Sequence, residues 1–174
     1  MRAVPLVLAV LSVLSATVRA ESEATVKAAY LVNFAKLIEW PASAFADAKS
    51  AFIIGIVGRG GAGGEIAQTV AGASASGHPI EVRRVSAGDG GALAACHLLF
   101  VAESERAEAV VAAVQGRPVL VVGEGEDFAR RGGAIGFVKE SGTVKFEANP
   151  KAAARNGLTV SAKLLRVARG VVER

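Results

Sequence analysis

The sequence predicts an α/β domain with three layers: a single mixed sheet of about six strands with helices on both faces. Short apolar runs, each about as long as a buried strand, alternate along the chain with segments of helical periodicity. Towards the C-terminal end, two of these runs lie close together with Glu140, Ser141 and Gly142 between them, which is typical of a β-hairpin. Strands that alternate with helices and then form a hairpin indicate a mixed sheet.

The predicted elements follow one another in one domain, without internal repeats. Apolar residues recur at helical spacing from 22 to 40, and Pro41 should end this first helix because it forces the preceding residue out of the helical region. Predicted strands cover 51–58, 79–85, 97–102, 118–122, 134–138 and 143–148. Further predicted helices cover about 63–71, about 103–115, 150–156 and 161–172, with Gly157 as a cap between the last two.

Residues 1–20 have the features of a secretory signal peptide. Arg2 precedes a short apolar run, and Val18 and Ala20 fit the small-residue positions before a cleavage site. The run is shorter than the roughly 20 apolar residues that cross a bilayer, which favours a cleaved signal over a retained membrane anchor. We therefore expect residues 21–174 to form one exported domain.

The charge balance of the exported part does not favour a nucleic-acid ligand. The whole chain has 20 Lys and Arg against 16 Asp and Glu, for a net charge of +4. Removing Arg2 and Arg19 with the signal leaves 18 basic against 16 acidic residues, a net charge of +2. The basic residues are scattered, and the single Trp and single Tyr offer little for base stacking. We expect no nucleic-acid binding.

A glycine-rich loop after the first predicted strand is the sharpest local motif. Gly58, Gly60 and Gly63 match G-x-G-x-x-G between a strand and a helix, and Glu81 lies 18 residues further on, near where a ribose-binding acid is expected. This predicts, as an alternative function, a small-ligand or nucleotide-binding protein that uses the loop and the helix N-terminus. The favoured interpretation is a structural turn, because an exported protein meets little nicotinamide cofactor.

The sequence contains little that could catalyse a reaction. It has no G-x-S-x-G elbow and no histidine pair at metal-binding spacing. Cys96 and His97 are adjacent in a predicted strand, so their side chains should point to opposite faces and cannot act as nucleophile and base. Cys96 is the only cysteine, and its apolar neighbours favour a buried thiol over an intermolecular disulfide. We expect a binding protein rather than an enzyme, without a cofactor or a metal.

Two sets of side chains are candidates for contact with a partner. The first helix carries a wide apolar stripe that includes Tyr30 and Phe34 and continues to Trp40. The second set is polar, lies on two predicted strands and comprises Arg83, Arg84, Lys145 and Glu147. The alternative is that the apolar stripe only packs on the sheet and that the polar set forms an ordinary solvated face.

Five blocks of sequence resemble the YfiR-like family of exported proteins, in the same order and over nearly the whole mature chain. The first block is the most specific, because it joins an Asn-Phe-Ala-Lys run to Glu-Trp-Pro. The blocks are 27–41 (KAAYLVNFAKLIEWP), 79–84 (PIEVRR), 96–101 (CHLLFV), 144–149 (VKFEAN) and 157–165 (GLTVSAKLL).

The resemblance implies a periplasmic α/β domain that is a negative regulator of an inner-membrane diguanylate cyclase, in cyclic di-GMP signalling and biofilm formation. It implies a homodimer that binds the periplasmic domain of the cyclase, with an outer-membrane lipoprotein as a second partner. The chain departs from the family in two places: Cys96 alone offers no internal disulfide, and the loop at 59–64 is richer in glycine. Redox control and the role of this loop therefore do not carry over.

We predict that the mature protein begins at Glu21, because the apolar run and the small residues Val18 and Ala20 place the cleavage site there. N-terminal sequencing of protein from the periplasmic fraction checks this. Recovery of the intact Met1 chain in the inner membrane would contradict both the cleavage and the export.

Overall fold

The computed structural model describes residues 22–58, 62–102 and 106–173. Within these ranges, helices and strands alternate along the chain as the sequence predicts. The helices are α1 (Glu23–Leu37), α2 (Ala62–Val70), α3 (Gly90–Ala94), α4 (Ala107–Ala113), α5 (Pro150–Arg155) and α6 (Ala162–Val167), with a short 3-10 helix at Ala42–Ala44. The strands are β1 (Ile38–Glu39), β2 (Phe52–Val57), β3 (Ser74–Ala75), β4 (His78–Val85), β5 (Leu98–Val101), β6 (Leu120–Glu124), β7 (Ile135–Glu140), β8 (Thr143–Ala148), β9 (Thr159–Val160) and β10 (Gly170–Val171).

In the described part of the chain, eight strands form one sheet in the order β10-β8-β7-β6-β5-β2-β4-β3. The strands β4, β2, β5, β6 and β7 run parallel, and β8 is antiparallel to β7. The core residues of α1, α2 and α6 lie on one face of the sheet, and those of α3 and α4 lie on the other. The predicted α/β class with helices on both faces is therefore confirmed.

The number of strands differs from the predicted six. All six predicted strands occur, but the two-residue strands β3 and β10 extend the sheet at its edges, while β1 and β9 form a separate pair. Segments of two residues are too short to show an alternating pattern, so the sequence gives no sign of them.

The first helix begins where the sequence indicates but ends earlier than expected. The Ser22 hydroxyl accepts a hydrogen bond from the Thr25 backbone N–H at 3.1 Å, which caps the N-terminus. The helix stops at Leu37 because Ile38 turns into an extended conformation and pairs with Val160. The prediction that Pro41 ends this helix is therefore wrong.

The hairpin between β7 and β8 has a two-residue turn. Ser141 and Gly142 have φ angles of 49° and 77°, so both adopt the left-handed conformation that a type I′ turn requires. Glu140 pairs directly with Thr143, which fixes the register of the two strands. The predicted antiparallel pair is confirmed.

The last helix is also shorter than predicted. It ends at Val167 because Ala168 is extended, and the chain then pairs with β8 as the parallel strand β10. The backbone N–H groups of Arg169 and Val172 donate to carbonyl oxygens of β8 at 2.9 and 2.7 Å. This long-range pairing replaces the helical hydrogen bonds expected up to residue 172.

The core on the α3–α4 face depends on one close approach of an aromatic ring to the backbone. The Phe128 ring is buried between two glycines of neighbouring segments, Gly123 on β6 and Gly133 before β7. A Cβ atom on Gly123 would lie 2.1 Å from Phe128 Cε2, and one on Gly133 would lie 1.9 Å from Phe128 Cε1. Both positions therefore need glycine.

We predict that Gly123→Ala lowers the free energy of unfolding by about 1–3 kcal/mol, because the added methyl group overpacks the Phe128 site. Urea denaturation of the purified domain measures this change. Gly64→Ala in α2 is the matched control. Its Cβ meets nothing within 4 Å, and alanine favours a helix by up to about 1 kcal/mol. Equal stability of Gly123→Ala and wild type would contradict the assigned packing.

Candidate functional site

An aromatic cluster lies between α1 and the hairpin strands. Phe34 lies 5.0 Å from Phe146 and 5.8 Å from Phe137 between ring centroids, and Tyr30 lies 5.5 Å from Phe146. Phe34 is completely buried, whereas Tyr30 is half-buried. Of these two residues of the predicted stripe, Phe34 is a core residue and Tyr30 reaches the surface.

Trp40 lies apart from this cluster, beyond the end of α1 and β1. Its ring packs edge-on against Phe52 at 5.0 Å and is half-buried. The Nε1–H group is buried and has no hydrogen-bond acceptor within the described ranges. Trp40 therefore closes the edge of the core as well as presenting part of its ring to solvent.

An apolar groove of about 430 Å³ runs between α1 and α6, and we call it the α1–α6 groove. Its two walls carry Lys36 on α1 and Lys163 on α6. Val167 at its side is 64% exposed, and nearby along the chain Val171 is 47% exposed; among the described residues these are the large hydrophobic side chains left in solvent. Its apolar lining comprises Tyr30, Phe34, Leu37, Phe146, Leu164 and Val167.

The two predicted arginines lie on β4, near one edge of the sheet. Being adjacent in a strand, Arg83 and Arg84 point to opposite faces. Arg83 Nη2 donates to Glu81 Oε2 at 2.9 Å, and both side chains are exposed. The Arg84 guanidinium lies at the start of α2, with Nη2 3.5 Å from where a Cβ on Gly63 would be.

Lys145 and Glu147 lie together on one face of β8, close to the other edge. Five strand-to-strand steps separate β8 from β4, or about 24 Å at the usual spacing of about 4.8 Å. Lys145 is exposed, while Glu147 is buried with Oε1 3.7 Å from Arg169 Nη1. The structure therefore separates the predicted polar set into two groups near opposite edges of the sheet, which we call the β4 group and the β8 group.

The glycine motif falls partly outside the described residues, because Gly60 does. Gly58 directly follows β2 and has a φ of 123°, and Gly63 lies in the first turn of α2. Glu81 is in register with Ile53, four residues before the end of β4, and therefore about 13 Å short of the strand ends where nucleotides bind. Since Glu81 also pairs with Arg83, the described geometry gives no support to a ribose-binding role.

A buried lysine at the N-terminal end of α1 was not predicted from the sequence. Lys27 forms ion pairs with Glu23 at 2.5 Å and with Glu124 at the end of β6, and Lys139 also pairs with Glu23. Burial alone would lower the pKa of Lys27, but the hydrogen bonds that its ammonium group donates to Glu124 and Glu23 outweigh burial and raise that pKa. A cavity of about 290 Å³ adjoins this cluster. The i,i+4 spacing of Glu23 and Lys27 is the sequence signal that could have revealed it.

The two histidines hold a loop rather than forming a catalytic pair. The Phe45 ring is stacked between them, 4.0 Å from the ring of His78 and 4.6 Å from that of His97. His97 Nδ1 accepts the Ile53 N–H at 3.0 Å, so its Nε2–H donates to the Ala44 carbonyl at 2.9 Å. The hydrogen bond that Nδ1 accepts requires the neutral ring, because both ring nitrogens of a protonated histidine are donors.

Cys96 lies on the opposite face of the sheet from His97. Its thiol donates to the Ala92 carbonyl at 3.3 Å, and burial raises its pKa to about 11. A thiol of this kind carries almost no thiolate at neutral pH, and so is a poor nucleophile. Within 22–58, 62–102 and 106–173, no cluster of three His, Cys, Asp or Glu side chains could hold a metal ion.

We predict that acid weakens this domain through His97. Burial, assisted by the charge of neighbouring His78, lowers the pKa of His97 below 6.5 despite the hydrogen bond to Ala44. The unfolded chain takes up this proton first, so the free energy of unfolding is highest above pH 6.5 and falls as the pH drops below it. Between about pH 7 and about pH 5, urea denaturation should show a smaller decrease in the free energy of unfolding for His97→Gln than for the wild type. An identical loss in both proteins would contradict this role.

The strand order assigns the domain to a class of α/β proteins with a mostly parallel sheet. Numbered in chain order, its parallel strands follow the sequence 2-1-3-4-5 of flavodoxin-like sheets, and an added antiparallel strand supports α1 and the groove. The chain belongs to the YfiR/HmsC-like family (DUF4154), whose sequence profile matches residues 24–169. This family consists of periplasmic regulatory proteins. The resemblance read from the sequence is thus confirmed.

Comparison with solved structures gives the same fold. A conserved domain protein from Vibrio cholerae O1 biovar El Tor matches with a TM-score of 0.52 and 14% identity over 70% of this chain. The chain spans 55% of the length of that protein, and the likeness concerns the fold alone. No curated protein sequence matches the chain. None of the described helices is long and apolar enough to cross a membrane.

Proposed function

We propose that this protein is a periplasmic binding protein that holds an inner-membrane diguanylate cyclase inactive by contacting its periplasmic domain. Membership of the YfiR/HmsC-like family over residues 24–169 is the observation that carries this proposal. In the same proposal, an outer-membrane lipoprotein competes for the regulator and releases the cyclase, and the regulator is a homodimer. Its action is binding and not catalysis.

The exposed members of the predicted contact set are the ones that would touch the cyclase. Tyr30 and Trp40 present part of their rings, and aromatic and arginine side chains concentrate binding energy at interfaces. Phe34 and Glu147 are buried, so in this proposal they support the contact surface from beneath. The polar contacts in this proposal are Arg83 and Arg84 of the β4 group and Lys145 of the β8 group, on strands about 24 Å apart.

We predict that deletion of the gene raises cyclic di-GMP and biofilm formation, because the cyclase is then no longer inhibited. Mass spectrometry of nucleotide extracts measures the rise, and complementation with the wild-type gene should reverse it. A second deletion that removes the cyclase should abolish the rise. Unchanged cyclic di-GMP in the deletion strain under several growth conditions would refute the proposed function.

Complementation with Arg84→Ala and with Lys145→Ala tests the β4 group and the β8 group separately. Both side chains are exposed, so the melting temperatures should stay close to that of the wild type. The variant whose side chain contacts the cyclase should restore repression only in part. If both variants repress fully, the polar contacts are wrong, while the proposed function stands on the deletion result.

A further inference from the structure

The α1–α6 groove has the size and lining of a site that receives protein side chains. Its volume of about 430 Å³ lies within the range of roughly 300–1,000 Å³ typical of binding pockets. The floor is rigid, because Phe34 and Phe146 pack edge-to-face at 5.0 Å and are both buried. Val167 leaves a large apolar surface in water at its side, which is the kind of surface that association covers.

The polar groups that line the groove have no partner within the described chain. The Tyr30 hydroxyl, the Asn33 amide and the ammonium groups of Lys36 and Lys163 make no hydrogen bond or ion pair there. Lys27 and Lys139, by contrast, are both held in ion pairs with carboxylates. The groove therefore offers donors above an apolar floor.

The charge of the groove selects between possible occupants. Among the described residues, its charged lining consists of Lys36 and Lys163, one on each wall, without a carboxylate. A second copy of the chain packed symmetrically on this face would bring these lysines towards their own copies, which costs energy. A partner that carries carboxylates on both sides of an apolar stripe is complementary to the groove.

The backbone beside the groove excludes an added β-strand. The Phe146 carbonyl on the outer edge of β8 already accepts the Arg169 N–H at 2.9 Å, and the Ala148 carbonyl accepts the Val172 N–H at 2.7 Å. An extended peptide would find these acceptors occupied. A helix laid into the groove, with its apolar side chains against the accessible apolar lining, is the mode that fits an apolar groove between two helices.

We infer that the α1–α6 groove binds an acidic amphipathic helix of a protein partner. Apolar side chains of that helix contact the accessible apolar lining, Tyr30, Leu37 and Val167, and its flanking carboxylates pair with Lys36 and Lys163. The inference rests on the proposed function only for the identity of the partner, as a helix of the cyclase, and not for the chemistry of the site.

Binding of a synthetic peptide to the full mature chain tests this inference. The probe is a labelled helical peptide with leucines at i, i+3, i+4 and i+7 and glutamates on both flanks. Fluorescence anisotropy should detect binding that weakens with added salt. A peptide of scrambled order and one with lysine flanks should bind at least about tenfold more weakly. Equal binding of all three peptides would overturn the inference.

Charge substitutions locate the site on the protein. Val167→Glu and Lys163→Glu should each weaken binding of the glutamate-flanked peptide by about tenfold or more. Val171→Glu is the matched control, since Val171 is exposed but does not line the groove, and it should bind like the wild type. Unchanged melting temperatures exclude misfolding. Binding that is unaffected by Val167→Glu and Lys163→Glu would overturn the inference.

Two further arms exclude the other occupants. Sedimentation should show the same oligomeric state for wild type and Val167→Glu, because loss of a dimer would assign the groove to a second copy. Val167→Glu should not change the binding of phosphatidylglycerol vesicles. Vesicle binding that this substitution abolishes would assign the groove to a membrane surface. Either of these results would overturn the inference.

The same variants separate this inference from the proposed function. In the deletion strain, Val167→Glu should fail to lower cyclic di-GMP, whereas Val171→Glu should restore repression. Full repression by Val167→Glu would show that the groove does not contact the cyclase. The proposed function would still be supported by the rise in cyclic di-GMP on deletion. Peptide binding that persists while the deletion leaves cyclic di-GMP unchanged would refute the proposed function and support the groove.

Discussion

The packing of Phe34 against Phe146 and Phe137 is the interaction on which the α1 face of the domain depends. Burying one such ring contributes roughly 1.5–3 kcal/mol, and each aromatic contact adds about 0.5–1.5 kcal/mol. A helix is rigid, so this contact also fixes residues one or two turns away. Lys27 is thereby brought to Glu124, and Lys36 is placed on the wall of the groove. The positions of the Lys27 ion pairs and of the groove therefore both depend on this packing contact.

The long elements of the fold could be predicted because each leaves a local pattern. The central strands β2, β5 and β6 are nearly all apolar, as strands covered on both faces must be, whereas β8 alternates between apolar and polar residues. The ends of α1 and α6 could not be predicted, because each is set by pairing with a strand that is distant in sequence. Ile38 pairs with Val160, and the chain after Ala168 pairs with β8. Helix α3 was missed because it begins with two glycines; it forms where Asp89 caps it and Leu93 is buried.

The candidate site was less predictable than the fold. Helical periodicity identifies the apolar stripe, but it cannot show that Phe34 is buried while Tyr30 reaches the surface. Strand alternation correctly places Lys145 and Glu147 on one face, but their distance from the arginines depends on the strand order, which no local pattern contains. The groove itself combines side chains of three elements that are distant in sequence, so it became visible only in the structure.

The charged residues at the sheet edges have a physical role that needs no partner. Within the described chain, β3 covers β4 only as far as Ile80, and the exposed charges of Glu81, Arg83 and Arg84 discourage another strand from adding to the open part. At the other edge, β10 occupies the acceptors of β8. With strand addition opposed at both edges, the apolar surface beside α1 is the place where association gains most. The inner side of this helix maintains the fold and its flank remains exposed, so substitutions on the flank can change the partner without cost to the core.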